Sequence, residues 1–226
     1  MKISIPEPFL SEFHKIESIL SPKEAFLVGG FVRDSLLGRK TFDMDFCVAL
    51  DGKDLFSLFP KSCYFPKFKT LSFHENGIDV TVASLRKESE YRDYRHPLNV
   101  ECVSSIFEDY QRRDFTINAL YCNTSLEVID PSLQGLRDLE DKKIRFLGEP
   151  YSRIKEDPLR ILRAYRFSYE LSFSFDKETK KALEENLFLL SYLKKQKIKE
   201  EIAKCNVKYQ NELEKILSMS GLDIGG

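Results

Sequence analysis

The sequence predicts an α+β fold, with a mixed α/β part over residues 1–148 followed by an all-α part over 149–226. Two observations carry this division. Short β-rich runs alternate with helical ones up to Gly148, Glu149 and Pro150, a cluster of turn-forming residues, and beyond it the apolar periodicity is that of helices. At 226 residues, 42% hydrophobic and 31% charged, the chain has room for one large domain or two small ones with a sizeable core, which excludes a disordered or collagen-like polymer.

The elements follow in order. Residues 25–28 are an unbroken apolar run that reads as a buried strand, ended by Gly29 and Gly30. Residues 31–37 form a short amphipathic helix stopped by Gly38. A second strand covers 43–48, and further strands are expected over 70–73, 78–83, 120–122 and 128–130, with Asn76 and Gly77 marking a turn. Residues 89–99, charged, tyrosine-rich and carrying Pro97, read as an exposed loop. Beyond Pro150, residues 159–167 and 177–190 have apolar faces of helical period, and a third helical region runs over 193–217 with a break at Cys205 and Asn206. The sequence has no internal repeats and no low-complexity segments.

Composition narrows the function classes. The 35 Lys and Arg against 36 Asp and Glu leave a net charge of −1, so nucleic-acid contact has to come from a local basic face. No apolar run approaches the roughly 20 residues of a membrane helix, and the N-terminus lacks a signal-peptide core, so a cytoplasmic protein without membrane contact is expected. Cys47, Cys63, Cys102, Cys122 and Cys205 are odd in number with no CxxC pair, which fits reduced thiols better than a disulfide or zinc framework. His14, His74 and His96 are far apart in the chain, which leaves metal chemistry to carboxylates.

The sharpest chemical feature is Asp43 and Asp45 on the second strand. Residues two apart on a strand share a face, so both carboxylates point into one site while Met44 and Phe46 face the core. Such a pair can hold hard divalent cations with nucleotide phosphates as the remaining ligands; taken alone, it also fits a solvated edge strand. Gly29 and Gly30 lie between strand and helix, where bare amides and the helix dipole can accept a triphosphate, or they make a tight turn only. Arg33 either pairs with Asp34 or reaches phosphate. Arg112 and Arg113 are a basic pair on a turn that Asp114 and Asn118 can cap and orient, or a solvated pair. Glu156, Arg160 and Arg163 are spaced i, i+4 and i+7, with Asp157 three residues before Arg160, so all can border one pocket; Asp157 before Pro158 equally fits a helix N-cap.

In series these segments form a long spaced signature. LVGGFVRDSLLGR over 27–39 followed by DMD over 43–45 resembles the head-domain motif of class II tRNA nucleotidyltransferases, the CCA-adding enzymes, and of the related bacterial poly(A) polymerases, within the polymerase beta superfamily. QRRDFTINAL over 111–120 resembles the motif in which an arginine contacts nucleotide sugar and phosphate, a role carried to Arg112 or Arg113. DPSLQGLRDL over 130–139 resembles the hinge-like motif, with Gln134 where a second glycine is common. EDPLRILRAYRF over 156–167 matches the element that reads the incoming base. Asp79 aligns with an acidic position on the strand beside the carboxylate pair, a third catalytic carboxylate able to orient or deprotonate the primer hydroxyl, or a solvent-facing acid. Residues 86–97 resemble the flexible loop associated with the final adenosine addition.

The resemblance, over about residues 25–205, implies a mixed-sheet nucleotidyltransferase head over 1–148 and a helical neck over 149–226, with body and tail domains absent. It implies Mg2+ in a two-metal arrangement on Asp43 and Asp45, and nucleotide contacts from Gly29, Gly30, Arg33, Arg112, Arg113, Asp157, Arg160 and Arg163. Cytosine and adenine present an exocyclic amino donor beside a ring-nitrogen acceptor, so an aspartate acceptor beside an arginine donor, Asp157 with Arg160, selects CTP and ATP over UTP and GTP. The expected partner is tRNA or another RNA 3′ end, with a second chain or missing C-terminal domains anchoring it; Lys194, Lys195, Lys197 and Lys199 offer a phosphate-binding face or a solvated one. The leading expectation is template-independent addition of C and/or A to tRNA. The alternatives are a poly(A) polymerase adding only A, and a non-catalytic nucleotide- or RNA-binding module.

Overall fold

The computed structural model describes residues 1–91 and 97–222, and its α+β architecture has the mixed sheet expected. The chain divides into two units. The first comprises Met1–Glu88, Asn99–Arg113 and Ile117–Leu136; the second comprises Ser89–Leu98, Asp114–Thr116 and Arg137–Gly226.

In chain order residues 1–140 hold α1 (Phe9–Leu20), β1 (Ala25–Val28), α2 (Gly30–Leu36), β2 (Asp43–Val48), α3 (Gly52–Leu58), β3 (Cys63–Phe65), β4 (Thr70–Glu75), β5 (Ile78–Ser84), β6 (Arg86–Tyr91), β7 (Pro97–Cys102), α4 (Ile106–Asp109), β8 (Tyr121–Cys122), β9 (Val128–Ile129) and α5 (Gly135–Glu140). The main sheet has the order β3-β4-β5-β2-β1-β8-β9. Only β2 and β5 run parallel; the other neighbours are antiparallel. Strand β1, between β2 and β8, is buried at every position, with Phe26 and Val28 in a core cluster with Leu85, Ile106 and Tyr121. Helix α1 places Phe13 and Ile16 inward, and Phe13 stacks on Phe46 with ring centroids 5.9 Å apart, so α1 covers the face of β2 opposite Asp43 and Asp45.

At its two ends the stretch read as a loop over 89–99 is strand instead. Residues 89–91 close β6 and 97–99 open β7, and the two strands form a separate two-stranded sheet. The tip of the expected flexible loop, residues 92–96, lies outside the described residues.

Residues 141–222 hold β10 (Lys143–Ile144), α6 (Pro150–Glu156), α7 (Leu159–Leu171), β11 (Ser174–Phe175), α8 (Lys177–Glu185), α9 (Lys195–Ala203) and α10 (Val207–Met219). Helix α7 buries Ile161, Leu162 and Ala164 and packs against α9 and α10. The helix read over 177–190 ends earlier, at Glu185: the Asn186 side chain donates to the Ala182 carbonyl at 2.8 Å, and a 3-10 stretch, Leu187–Tyr192, takes over. The break at Cys205 and Asn206 is present, with Asn206 capping α10 through Lys208 N–H at 3.0 Å. Among the described residues no helix is long and apolar enough to cross a membrane.

Candidate active site

Strand alternation sets the first part of the site. Met44 and Phe46 are buried, whereas Asp43 is exposed and Asp45 half-buried on the other face. In the parallel pair Asp43 stands opposite Asp79, and in the antiparallel pair β4–β5 Asp79 stands opposite His74. His74 Nδ1 lies 2.8 Å from Asp79 Oδ1. An ionised carboxylate only accepts, so Nδ1 is the ring nitrogen that carries the hydrogen in this contact. Desolvation pushes the Asp43 carboxyl above the usual carboxylate range; a local backbone hydrogen bond and Arg33 oppose the rise, while the charges of Asp34 and Asp79 add to it.

Gly29 closes β1 at φ 79° and ψ −133°, a conformation that side chains with a Cβ avoid. Its N–H donates to the Leu120 carbonyl at 3.2 Å, so this amide is not the bare donor that the sequence offers for phosphate. What Gly29 supplies is room: a Cβ there would lie 3.9 Å from Asp45 Oδ2 and 4.0 Å from Arg113 Nη1. Gly29, Asp45 and Arg113 thus surround one spot. Gly30 begins α2. Arg33 takes its ion-pair alternative, donating to Asp34 Oδ1 and Oδ2 at 3.0 and 2.8 Å and to Asn118 Oδ1 at 2.6 Å.

Arg112 and Arg113 are gripped by Asp109, a fully buried residue that the sequence reading passes over. Asp109 Oδ1 accepts from Arg112 Nε at 3.0 Å and from Arg86 N–H at 3.0 Å. Its Oδ2 accepts from Arg113 Nη2 at 3.0 Å, Arg113 Nε at 3.2 Å and the Tyr121 hydroxyl at 2.7 Å. Burial alone would raise this carboxyl, but Arg113 and Arg112, with Tyr121 and Arg86 N–H, outweigh burial and hold it far below the usual range. Burial likewise opposes the Arg113 charge, and Tyr121 and Asp109 more than restore it. Arg112 also reaches Glu88 at 3.5 Å. A signal for Asp109 existed in its spacing, three and four residues before the two arginines, which on a helical turn sets one carboxylate beneath both. His74 carries no comparable signal, because its place depends on the β4–β5 register.

In the second unit Asp157 ends α6 in extended conformation, and its Oδ1 accepts from Leu159 N–H at 3.1 Å, so the cap offered by the sequence is formed. Arg160 N–H donates to the Asp157 carbonyl at 3.0 Å. The buried Arg160 guanidinium donates through Nη1 to Glu156 Oε2 and to the Arg153 carbonyl, each at 2.7 Å. Arg153 pairs with the same Glu156 oxygen. Arg163 Nε donates to Asp114 Oδ2 at 2.8 Å. Burial disfavours the Arg163 charge, yet Asp114 and Glu201 hold it firmly protonated. Glu156 thus joins Arg153 and Arg160, and Asp114 joins Arg163.

Among the described residues no group of three or more His, Cys, Asp or Glu side chains stands ready to hold a metal ion. Asp43 and Asp45 remain two hard oxygen donors on one face, with Asp43 under like-charge pressure from Asp34 and Asp79. A divalent cation relieves that pressure, and Mg2+ in particular takes few protein carboxylates when substrate phosphates complete its shell. The donor set therefore fits the ion.

Residues 25–145 match the Poly A polymerase head domain family. The chain is 39% identical over 200 residues to the CCA-adding enzyme of Geobacillus sp. (strain WCH70), covering 88% of this chain and 49% of that protein. It is 40% identical over 182 residues to that of Anoxybacillus flavithermus (strain DSM 21510 / WK1), covering 80% and 46%. The crystal structure of Bacillus stearothermophilus CCA-adding enzyme in complex with CTP is similar with TM-score 0.77 and 31% identity, over 88% of this chain and 48% of that one. A tRNA nucleotidyltransferase complexed with a primer tRNA and an incoming ATP analog is similar with TM-score 0.69 and 32% identity, over 92% and 59%. The chain spans about half the length of the curated relatives it matches. With that match covering more than half of its residues, the chain belongs to the poly(A) polymerase head domain family.

Proposed function

We propose that this protein transfers nucleotides from CTP and ATP to the 3′ end of tRNA without a template, releasing pyrophosphate. The observation that carries the reading is the meeting of Asp45, Gly29 and a clamped Arg113 around one spot, in a member of this family whose relatives are named CCA-adding enzymes. Nucleotidyl transfer in the family depends on a divalent metal. We assign Mg2+ in a two-metal arrangement, held by Asp43 and Asp45, and when bound it supplies positive charge to the transferred phosphoryl group and the leaving pyrophosphate.

The chain's own residues divide the remaining work. Gly29 lets a phosphate approach the backbone closely, and Arg113, aimed by Asp109, neutralises phosphate charge. Arg33, tied to Asp34 and Asn118, fixes the first turn of α2 behind that phosphate. Asp79 orients the primer hydroxyl and takes its proton. Base selection falls to Asp157 and Arg160, by hydrogen-bond polarity. A cytoplasmic location belongs to the same proposal: the five cysteines are free thiols, which suits a reducing compartment.

The test is incubation with Mg2+, labelled CTP or ATP, and a tRNA lacking its CCA end. Incorporation of C followed by A supports the reading. Incorporation of A alone, on any RNA, makes the chain a poly(A) polymerase. Nucleotide binding without turnover makes it a non-catalytic module.

A further inference from the structure

The strand registers place a histidine in line with the carboxylates. From β4 across β5 to β2, His74, Asp79 and Asp43 occupy directly opposed positions, and Asp45 follows Asp43 on the same face. His74 Nδ1 is 2.8 Å from Asp79 Oδ1. Asp79 is otherwise exposed, with 79% of its side chain open to solvent. An exposed aspartate turns between rotamers that direct its oxygens differently. A single N–H donor on one oxygen fixes which way the other points.

We propose that His74 is a positioning residue for nucleotidyl transfer: its Nδ1–H holds Asp79 Oδ1, which leaves Oδ2 to receive the hydroxyl of the primer end. The proposal rests on the nucleotidyltransferase reading above and adds a residue that no motif contains. His74 does not touch substrate in this scheme. The imidazole is a better clamp than a lysine or arginine at the same place. A permanent cation would pair with the row of carboxylates as a whole and compete for it with the metal ion, whereas an imidazole N–H donates a hydrogen bond without being a permanent cation.

Two roles for the same contact differ in their kinetics. A surface ion pair that only adds stability leaves kcat alone and has effects that add to those of other surface changes. A clamp acting through Asp79 lowers kcat, does little to nucleotide KM, and has no effect once Asp79 can no longer accept the proton.

The experiment uses the full chain and compares wild type, His74→Phe, His74→Asn, Asp79→Asn and the double variant His74→Phe/Asp79→Asn on a tRNA lacking its CCA end. The asparagine amide places a donor where Nδ1–H stood. We expect His74→Phe to lose about tenfold in kcat with nucleotide KM within about twofold, and His74→Asn to recover most of the loss. The double variant should be no slower than Asp79→Asn alone. Nitrogen NMR of the imidazole, read without turnover, should show the Nδ1–H tautomer in wild type and its loss in a separate Asp79→Ala variant, which lacks the acceptor. Wild-type kcat in His74→Phe, additive losses in the double variant, or an imidazole tautomer indifferent to Asp79→Ala each overturns the proposal. A wild-type chain that adds no nucleotide at all is a separate result: it removes the nucleotidyltransferase reading, and this proposal with it.

Discussion

Replacing Asp109 by alanine tests the clamp that aims the arginine pair. The carboxylate is fully buried and accepts five hydrogen bonds, from Arg86 N–H, Arg112, the Tyr121 hydroxyl and two from Arg113. Its removal takes from the Arg113 charge its buried anion and leaves Arg112 with Glu88, a class of change that costs about 3–5 kcal/mol. Against a total stability of about 5–15 kcal/mol, and at about 2–4 °C per kcal/mol for a chain of this size, Tm should fall by roughly 6–20 °C. The chain has no tryptophan, so the melt is followed by far-ultraviolet circular dichroism.

Asp109→Asn keeps the shape and removes the charge, which adds a pH signature. The folded carboxyl titrates far below its unfolded value of about 3.9, so its stabilisation is complete above about pH 5 and is lost as pH falls through 4 toward the folded value. The stability gap between wild type and Asp109→Asn should therefore be constant near neutrality and narrow in acid. Nucleotide affinity should fall in both variants, because Arg113 no longer has a fixed aim. A Tm change under about 2 °C with unchanged nucleotide binding would refute the clamp, and a gap that stays constant down to pH 2 would refute its electrostatic basis.

Three further outcomes are expected. Asp45→Ala should leave Tm within about 2 °C of wild type, since the side chain is only half-buried, while abolishing Mg2+-dependent addition; residual turnover within about tenfold would remove this carboxylate from the chemistry. Gly29→Ala should lower stability by about 1–3 kcal/mol through its φ of 79° rather than through a clash, because its Cβ would meet only ordinary contacts; urea melts with an unchanged midpoint would contradict this. Asp157→Ala should lose a cap, about 1 kcal/mol in the melt, and relax rejection of UTP and GTP, whereas Arg160→Ala should weaken use of CTP and ATP by about ten- to a hundredfold in kcat/KM. Equal losses for all four nucleotides in both variants would make the pair purely architectural.

Local signals made much of this protein readable. β2 falls where Asp43 and Asp45 needed a strand, and the Gly29 turn, the α7 periodicity and the Asn206 break are where the residues place them, because each depends on neighbours within a few positions. Helix α1 was harder to see: Pro6 and Pro8 mask its start, and its apolar stripe is short of strong capping residues. Short β3 depends on pairing with β4 rather than on its own pattern. In the site the same division holds. Both carboxylates on β2 were legible, but Gly29's occupied amide depends on the carbonyl of Leu120, and Arg33's ion pair is reinforced by Asn118, 85 residues away in sequence. Asp109 lies near its arginines in sequence yet became important only once Tyr121 and Arg86 enclosed it.

The single parallel pair in the sheet bears on how this protein tolerates change. Because β2 and β5 start from the same edge, Asp43 and Asp79 come side by side without either needing a long side chain or a bent strand. Everything between them, residues 49–77, is a crossover whose outer portion, β3 and the turn that precedes it, lies at the margin of the sheet. A change of length in that margin would therefore leave the spacing of the acids fixed by the backbone ladder, much as a hinge pin keeps its place while the door is recut.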